Sequence, residues 1–124
     1  MIISVTISPD RGEKLLEVDT ILFIESQSSI QRIAMHTFDG VFYTVGPLGY
    51  WEMLFNNEGY RFYNVDRSYT INVDKLTGIN FAFKLAEFAN VQINKKMTCT
   101  MAGRRFNKVA EELRVLNPGI VISR

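Results

Sequence analysis

The sequence predicts a mainly β domain, mostly antiparallel, with a short helix in the middle of the chain and a second helix near its C-terminal end. Short runs of strand-forming residues recur along the chain, separated by turn clusters such as Ser8-Pro9-Asp10-Arg11-Gly12 and Phe38-Asp39-Gly40. Helical spacing of apolar residues appears only at Leu48–Phe55 and Phe106–Leu113. At 124 residues, 47% hydrophobic and 22% charged, the chain fits a single domain, 1–124, with one sizeable core.

Ile2–Ile7 alternates weakly and reads as the first strand. Ser8–Gly12 is a turn by composition, since Pro presets φ and Gly permits positive φ. Leu15–Val18 is a second, short strand. Asp19-Thr20 then leads into Ile21–Ile24, an apolar run too short for a helix that fits a strand buried on both faces. Glu25–Ser29 is polar and reads as a loop. In Ile30–Thr37, Ile33 and Met35 share one face of a strand, and Arg32 and Ala34 the other. Asp39-Gly40 signals a hairpin with a type I′ turn, which needs positive φ at both central residues, and Val41–Val45 returns.

Gly46-Pro47 opens the first helix, because a first-turn proline gives up only an N–H that is unpaired there anyway. Leu48, Trp51, Leu54 and Phe55 fall on one helical face, and Gly59 suits the stop. Arg61–Val73, RFYNVDRSYTINV, reads as a strand-like run with a polar lip. Asp74–Gly78 is a turn. Ile79–Lys84 and Val91–Ala102 read as strands, and Leu85–Asn90 between them as either a helical turn or a widened loop. Asn94-Lys95-Lys96 is an alternative hairpin tip that would split the second strand. The last helix spans about Gly103–Leu116, with Phe106, Val109, Ala110 and Leu113 as its buried stripe. Asn117-Pro118-Gly119 stops it, and Ile120–Ile122 docks as a final short strand.

The formal net charge is +1, from 14 basic and 13 acidic residues, so only a local cluster can act as an electrostatic footprint. Such clusters stand at Arg104-Arg105 with Lys108, and at Lys95-Lys96. No apolar run is long enough to span a bilayer, and MIISVTISPD lacks the features of a secretory signal. The single cysteine, Cys99, cannot pair internally, so a reducing cytoplasm is expected. His36 is the only histidine, which rules out a His/Cys metal cluster within one chain. There is neither a Gly-x-Ser-x-Gly elbow nor a Gly-rich phosphate loop, and Glu111-Glu112 lie on the outer helix face. The expectation is therefore a protein without enzymatic activity, metal or cofactor. Phe38, Phe42, Tyr43, Phe62, Tyr63, Tyr69, Phe81 and Phe83 read first as core and cross-strand pairs, and only second as a stacking platform.

Ordered segments carry a resemblance to a known family. DTILFIES (Asp19–Ser26) and QRIAMHTFDGVFYTV (Gln31–Val45) are followed by LGYWEML (Leu48–Leu54) and VDRSYTINVDKL (Val65–Leu76). AGRRF (Ala102–Phe106) is a weaker match against a Val-Ser-Arg-Arg-Tyr pattern. Together they resemble the LytTR family of bacterial DNA-binding domains over about Asp19–Val109. VDRSYTINVDKL is similar to the family's Val-His-Arg-Ser-Tyr-Ile-Val-Asn signature. The resemblance implies a LytTR-like β fold, with a C-terminal helical extension from about Arg104. It also implies that loops at one edge of the sheets enter the major grooves of duplex DNA, with phosphate contacts positioning and base contacts specifying.

Carried over residue by residue, the DNA-facing positions are Gln31 and Arg32 with Ser28 and Ser29 nearby, then Arg67, then Arg104 with Arg105. Gln pairs with adenine through two hydrogen bonds, and Arg with guanine or phosphate. The competing structural readings are a solvated loop for Gln31, a pair with Asp66 or Asp74 for Arg67, and a helix cap or solvated face for Arg104. Tyr69, Ile71, Phe23 and Leu22 belong to the core, and Asn72 to a structural hydrogen bond.

The chain departs from the pattern at Asn64, where Arg is common, at Asp66, where His is usual, and at Gly103, which replaces a small hydroxyl residue. Asp66 repels phosphate or competes for Arg67. Members of the family commonly carry a receiver domain upstream, whereas only Met1–Val18 precedes the match here, as expected of a trimmed or stand-alone member. The leading expectation is a sequence-specific transcriptional regulator whose partner is double-stranded DNA. The alternative is a LytTR-like protein–protein interaction module that modulates another regulator and binds DNA weakly or not at all. A homodimer or a regulatory protein partner would use the C-terminal segment. Gln31, Arg67 and Arg104 on one exposed edge would support the DNA reading; scattered over different faces, they would not.

Overall fold

The computed structural model describes residues 1–101 and 103–124; Ala102, which falls in the last expected strand and in the Ala102–Phe106 match, lies outside them. The elements run β1 (Ile2–Ser8), β2 (Arg11–Glu17), β3 (Phe23–Gln27), β4 (Arg32–Thr37), β5 (Gly40–Thr44) and α1 (Leu48–Asn57). Then come β6 (Phe62–Asp66), β7 (Tyr69–Asn72), β8 (Gly78–Asn80), β9 (Leu85–Asn90), β10 (Lys95–Thr100), α2 (Phe106–Leu116) and β11 (Val121–Ser123). The fold is mainly β and mostly antiparallel, with helices in the middle and near the C-terminal end, as the sequence predicts.

Seven strands form one antiparallel sheet in the order β2-β1-β5-β4-β3-β7-β6. Four form a second, β10-β9-β8-β11, in which β11 runs parallel to β8. Strand alternation divides the side chains of the larger sheet between its faces. Ile24, Ile33, Met35, Phe42 and Phe62 pack with Phe55 of α1. Phe23, Val65 and Ile71 face the other way, onto Ile79, Ala86 and Phe88 of the small sheet and onto the Phe106, Val109, Ala110, Leu113 stripe of α2. The larger sheet is thus a middle layer, and there are two core clusters where the composition suggested one. This explains why the centre of β4 is buried on both faces, with Ile33, Ala34 and Met35 at 1% exposure or less.

Several expectations are corrected. Arg61–Val73 is a hairpin, β6 and β7 around Arg67-Ser68, and not one strand with a polar lip. A bulge between Asn64 and Asp66 interrupts the alternation that a single strand would need. Leu85–Asn90 is a central strand of the small sheet, while Phe81–Lys84 is a turn. Its alternation is hard to see because one of its inward residues is only Ala86, beside Phe88. Glu25–Gln27 continues β3 instead of looping. The β4–β5 hairpin forms where Asp39-Gly40 predicts it, but Thr37 pairs with Gly40, so Phe38 and Asp39 are the turn residues. Gly40 takes φ +140° while Asp39 stays out of the positive region, so the turn is not type I′.

Asn72 is 1% exposed. Its Nδ2 donates to the Ile21 carbonyl at 3.0 Å, and its Oδ1 accepts from the Asp74 N–H at 3.3 Å. It ties the end of β7 to the segment leading into β3. Asn72→Ala would leave the buried Ile21 carbonyl short of a partner, so a loss of about 1–3 kcal/mol is expected. Urea unfolding should show it as a lower midpoint at unchanged slope; an unmoved midpoint would contradict the role given to Asn72.

Candidate nucleic-acid interface

β3 lies between β4 and β7, which fixes where the turns of its neighbours emerge. Gln27 pairs with Arg32 and Glu25 with Tyr69, so the β3–β4 turn and the β6–β7 turn leave the sheet at the same end. The Ser26 N–H donates to the Ser68 carbonyl at 2.9 Å and joins the two turns directly. In the first turn Gln31 adopts φ +54°, and its N–H donates to the Ser28 carbonyl at 3.2 Å. Ser28, Ser29 and Gln31 are exposed.

The second turn is built by the residues that depart from the family pattern. Asn64 Nδ2 donates across the bulge to the carbonyls of Asp66 at 2.8 Å and Tyr69 at 3.1 Å. Asp66 Oδ1 accepts from the Ser68 N–H at 3.3 Å. Asp66 is therefore occupied with the turn backbone, and Asp74 is bound by Arg61, whose Nε donates to it at 2.9 Å. Arg67 is exposed and has neither an ion pair nor a side-chain hydrogen bond among the described residues. Both partners proposed for it on structural grounds are engaged elsewhere.

The third loop joins them through the small sheet. Tyr69, which directly follows the β6–β7 turn, packs against the core cluster that holds Cys99 of β10 and Met101, so the end of β10 lies beside that turn. Arg104 and Arg105 are exposed just before α2, with no side-chain hydrogen bond or ion pair among the described residues. Arg105 stands at the N-cap position of α2, but its side chain makes no cap bond. Arg32 differs: its Nε donates to the Pro9 carbonyl at 2.9 Å and its Nη2 to Asp10 at 3.0 Å. The other basic cluster lies at the far end, where Lys95 Nζ donates to the Phe38 carbonyl at 2.8 Å and Lys96 pairs with Glu87 at 2.9 Å. Gln31, Ser29, Arg67, Arg104 and Arg105 thus share one end of the layers, and Arg32 lies among them, bound to the β1–β2 turn.

Behind these turns is a carboxylate cluster that sequence reasoning missed. Glu25 Oε1 accepts from His36 Nε2 at 2.9 Å and from Gln27 Nε2 at 3.0 Å, and its Oε2 accepts from the Tyr69 hydroxyl at 3.1 Å. His36 stacks on Phe23 with ring centroids 4.3 Å apart. The cluster ties β4, β3 and β7 together one residue away from the Arg67-Ser68 turn. Burial works to raise the Glu25 carboxyl, but the bonds from Gln27, His36 and Tyr69 and the His36 charge outweigh it and bring it below its ordinary range. Burial, together with the Glu25 charge, pushes the Tyr69 phenol up. Burial also pushes the Cys99 thiol up, which keeps it protonated. Strand pairing alone could have revealed the cluster, because Glu25, His36 and Tyr69 converge only in register.

Comparison with known proteins follows the same lines. A family model described as the LytTr DNA-binding domain matches residues 12–114. Among solved structures, the LytTr DNA-binding domain of a Bacillus cereus protein described as a methyl-accepting/DNA response regulator superposes with a TM-score of 0.61. That match covers 90% of this chain and 94% of the other at 10% sequence identity, so it speaks to the fold. No curated protein matches the chain.

The lowered Glu25 carboxyl links stability to pH. The folded state binds its proton less readily than the unfolded chain does. The stabilisation is thus fully present above the ordinary carboxyl range and is lost as pH falls through the lower folded value. Urea midpoints measured across the acid range should fall less steeply for Glu25→Gln than for the parent. Equal slopes would mean that Glu25 does not contribute.

Proposed function

The chain belongs to the LytTR family of DNA-binding domains, and on that premise we propose that it is a cytoplasmic transcriptional regulator that reads duplex DNA sequence-specifically, with its loop end in the major groove. The observation that carries the proposal is the state of the cations. Away from that end, Arg61, Lys75, Lys96 and Arg114 are paired with Asp74, Asp19, Glu87 and Glu111. At the loop end Arg67, Arg104 and Arg105 point to solvent without an acidic partner among the described residues. A charge left unpaired beside others of its sign gains little for the fold and leaves its donors available to an anion.

The residue types suit a division of labour. Arg67 and Arg104 supply planar forks for guanine edges or phosphate, and Arg105 supplies a phosphate contact. Gln31 suits an adenine edge, and the Ser29 hydroxyl suits phosphate. Arg32 fits a positioning role, because its guanidinium fastens the Gln31 turn to Pro9 and Asp10. The net charge of +1 is no obstacle, since the field that matters is local.

Fluorescence anisotropy in a salt series tests the reading, on duplexes selected from a randomised library by the parent chain. Loss of a good base contact in Arg67→Ala or Arg104→Ala should cost about 1–3 kcal/mol and relax specificity. Loss of a phosphate contact in Arg105→Ala should lower the salt slope by about one. Binding that ignores sequence and all three substitutions would defeat the proposal.

A further inference from the structure

The turn between β8 and β9, Phe81–Lys84, lies at the same end of the molecule as the loops already described. Leu85 pairs with Thr100, and the Met101 N–H donates to the Lys84 carbonyl at 3.0 Å, which places the turn beside the Gly103–Arg105 loop. Lys84 Nζ reaches the Gly103 carbonyl at 3.4 Å and lies 5.8 Å from the centre of the Phe106 ring. β11 brings in a further cation. Its Ser123 pairs with Asn80, the Phe81 N–H donates to the Ser123 carbonyl at 2.8 Å, and the Arg124 guanidinium lies 4.7 Å from the Phe81 ring centre. Phe81 in turn meets Phe106 edge-on at 5.0 Å.

Two features of this strip have no account in the fold. Phe83 is 74% exposed on a turn that is itself well fixed, since the Phe83 N–H donates to Asn80 Oδ1 at 3.0 Å. The charge is also of one sign: Lys84, Arg104, Arg105 and Arg124 occur on these segments with no Asp or Glu among them. In a chain of net charge +1 this is segregation.

We infer that the Phe81–Lys84 turn together with Arg124 is a fourth DNA-contacting element, in which Lys84 and Arg124 meet phosphates flanking the Arg104 contact and Phe83 packs against deoxyribose or a thymine methyl. The inference rests on the DNA-binding reading above and extends its footprint. An aromatic side chain rimmed by cations matches the surface of a duplex, where apolar sugar and methyl faces alternate with phosphates. Aromatic rings hold Lys84 and Arg124 on the strip, so less side-chain freedom is lost when phosphate binds.

The test uses the full chain and the duplex selected above, in a salt series, with Arg67→Ala as the reference variant and circular dichroism to check folding. Arg124→Ala should lower the salt slope by about one. Phe83→Ala, at an exposed site, should weaken binding several-fold with the salt slope unchanged and the melting temperature of the free protein unmoved. If both variants bind like the parent while Arg67→Ala is impaired, the fourth element is refuted and the DNA reading stands. If the parent binds no duplex, both fall. Retention on phosphatidylglycerol vesicles that depends on Phe83 and Arg124, with DNA affinity unchanged in the variants, would also overturn the inference and assign the strip to an anionic membrane.

Discussion

The antiparallel pairing of β3 with β7 is the contact on which the rest of the molecule depends. It joins the Asp19–Gln27 region to the Phe62–Asn72 hairpin, and both strands lie in a sheet covered on both faces. A one-residue slip would turn Phe23 and Ile71 away from the small sheet and Ile24 away from α1, exposing each to the wrong layer. Because the register is fixed by burial, Glu25 meets the Tyr69 hydroxyl and Ser26 meets Ser68. The relative positions of the Gln31 and Arg67 turns therefore follow from core packing and need no contact between the turns' own side chains.

The molecule divides its charges between two tasks. Pairs such as Arg61–Asp74 and Lys96–Glu87 are exposed on at least one side and contribute little to stability, but they neutralise cations away from the loop end. At the loop end Glu25 is enclosed by hydrogen bonds and Asp66 caps the Ser68 N–H, while Asp10 pairs with Arg32 and leaves Arg67, Arg104 and Arg105 without an acidic partner among the described residues. Asp66, which the family pattern made the main argument against Arg67, serves the geometry of the turn that presents Arg67. Near-neutral composition and a local basic field are thus compatible in one small domain.

Strands with strong signals were legible in the sequence. Ile21–Ile24 reads as buried because its residues are all large and apolar, although β3 itself starts only at Phe23, and the stripes of α1 and α2 read from period alone. β9 was not legible, because one of its buried positions is held only by Ala86 and the partly buried Glu87 sits between the two. The split of Arg61–Val73 into two strands was hidden by the bulge at Asn64–Asp66, since a bulge breaks the period that would announce a strand. For the site, the motif marked Arg67 and Arg104 as residue types in sequence. It did not mark Arg32 as anchored, because its partners Pro9 and Asp10 come from a turn far away in the chain. Nor did it mark Phe83 or Arg124, which acquire meaning only when β8 and β11 bring them beside the Gly103 loop.

The parallel joining of β11 to β8 has a kinetic side. Gly78 allows it, since a Cβ there would stand 2.9 Å from the Val121 carbonyl oxygen. The strand that closes the small sheet is contributed by the far C-terminal part of the chain, just as β7 must travel to reach β3. Such non-local pairings incur loop-closure entropy before they return contact energy. A partly folded or nicked chain would keep its arginines but lack the surface that aligns them. The loop end is therefore complete only when β11 has docked, because that strand sets Arg124 against Phe81.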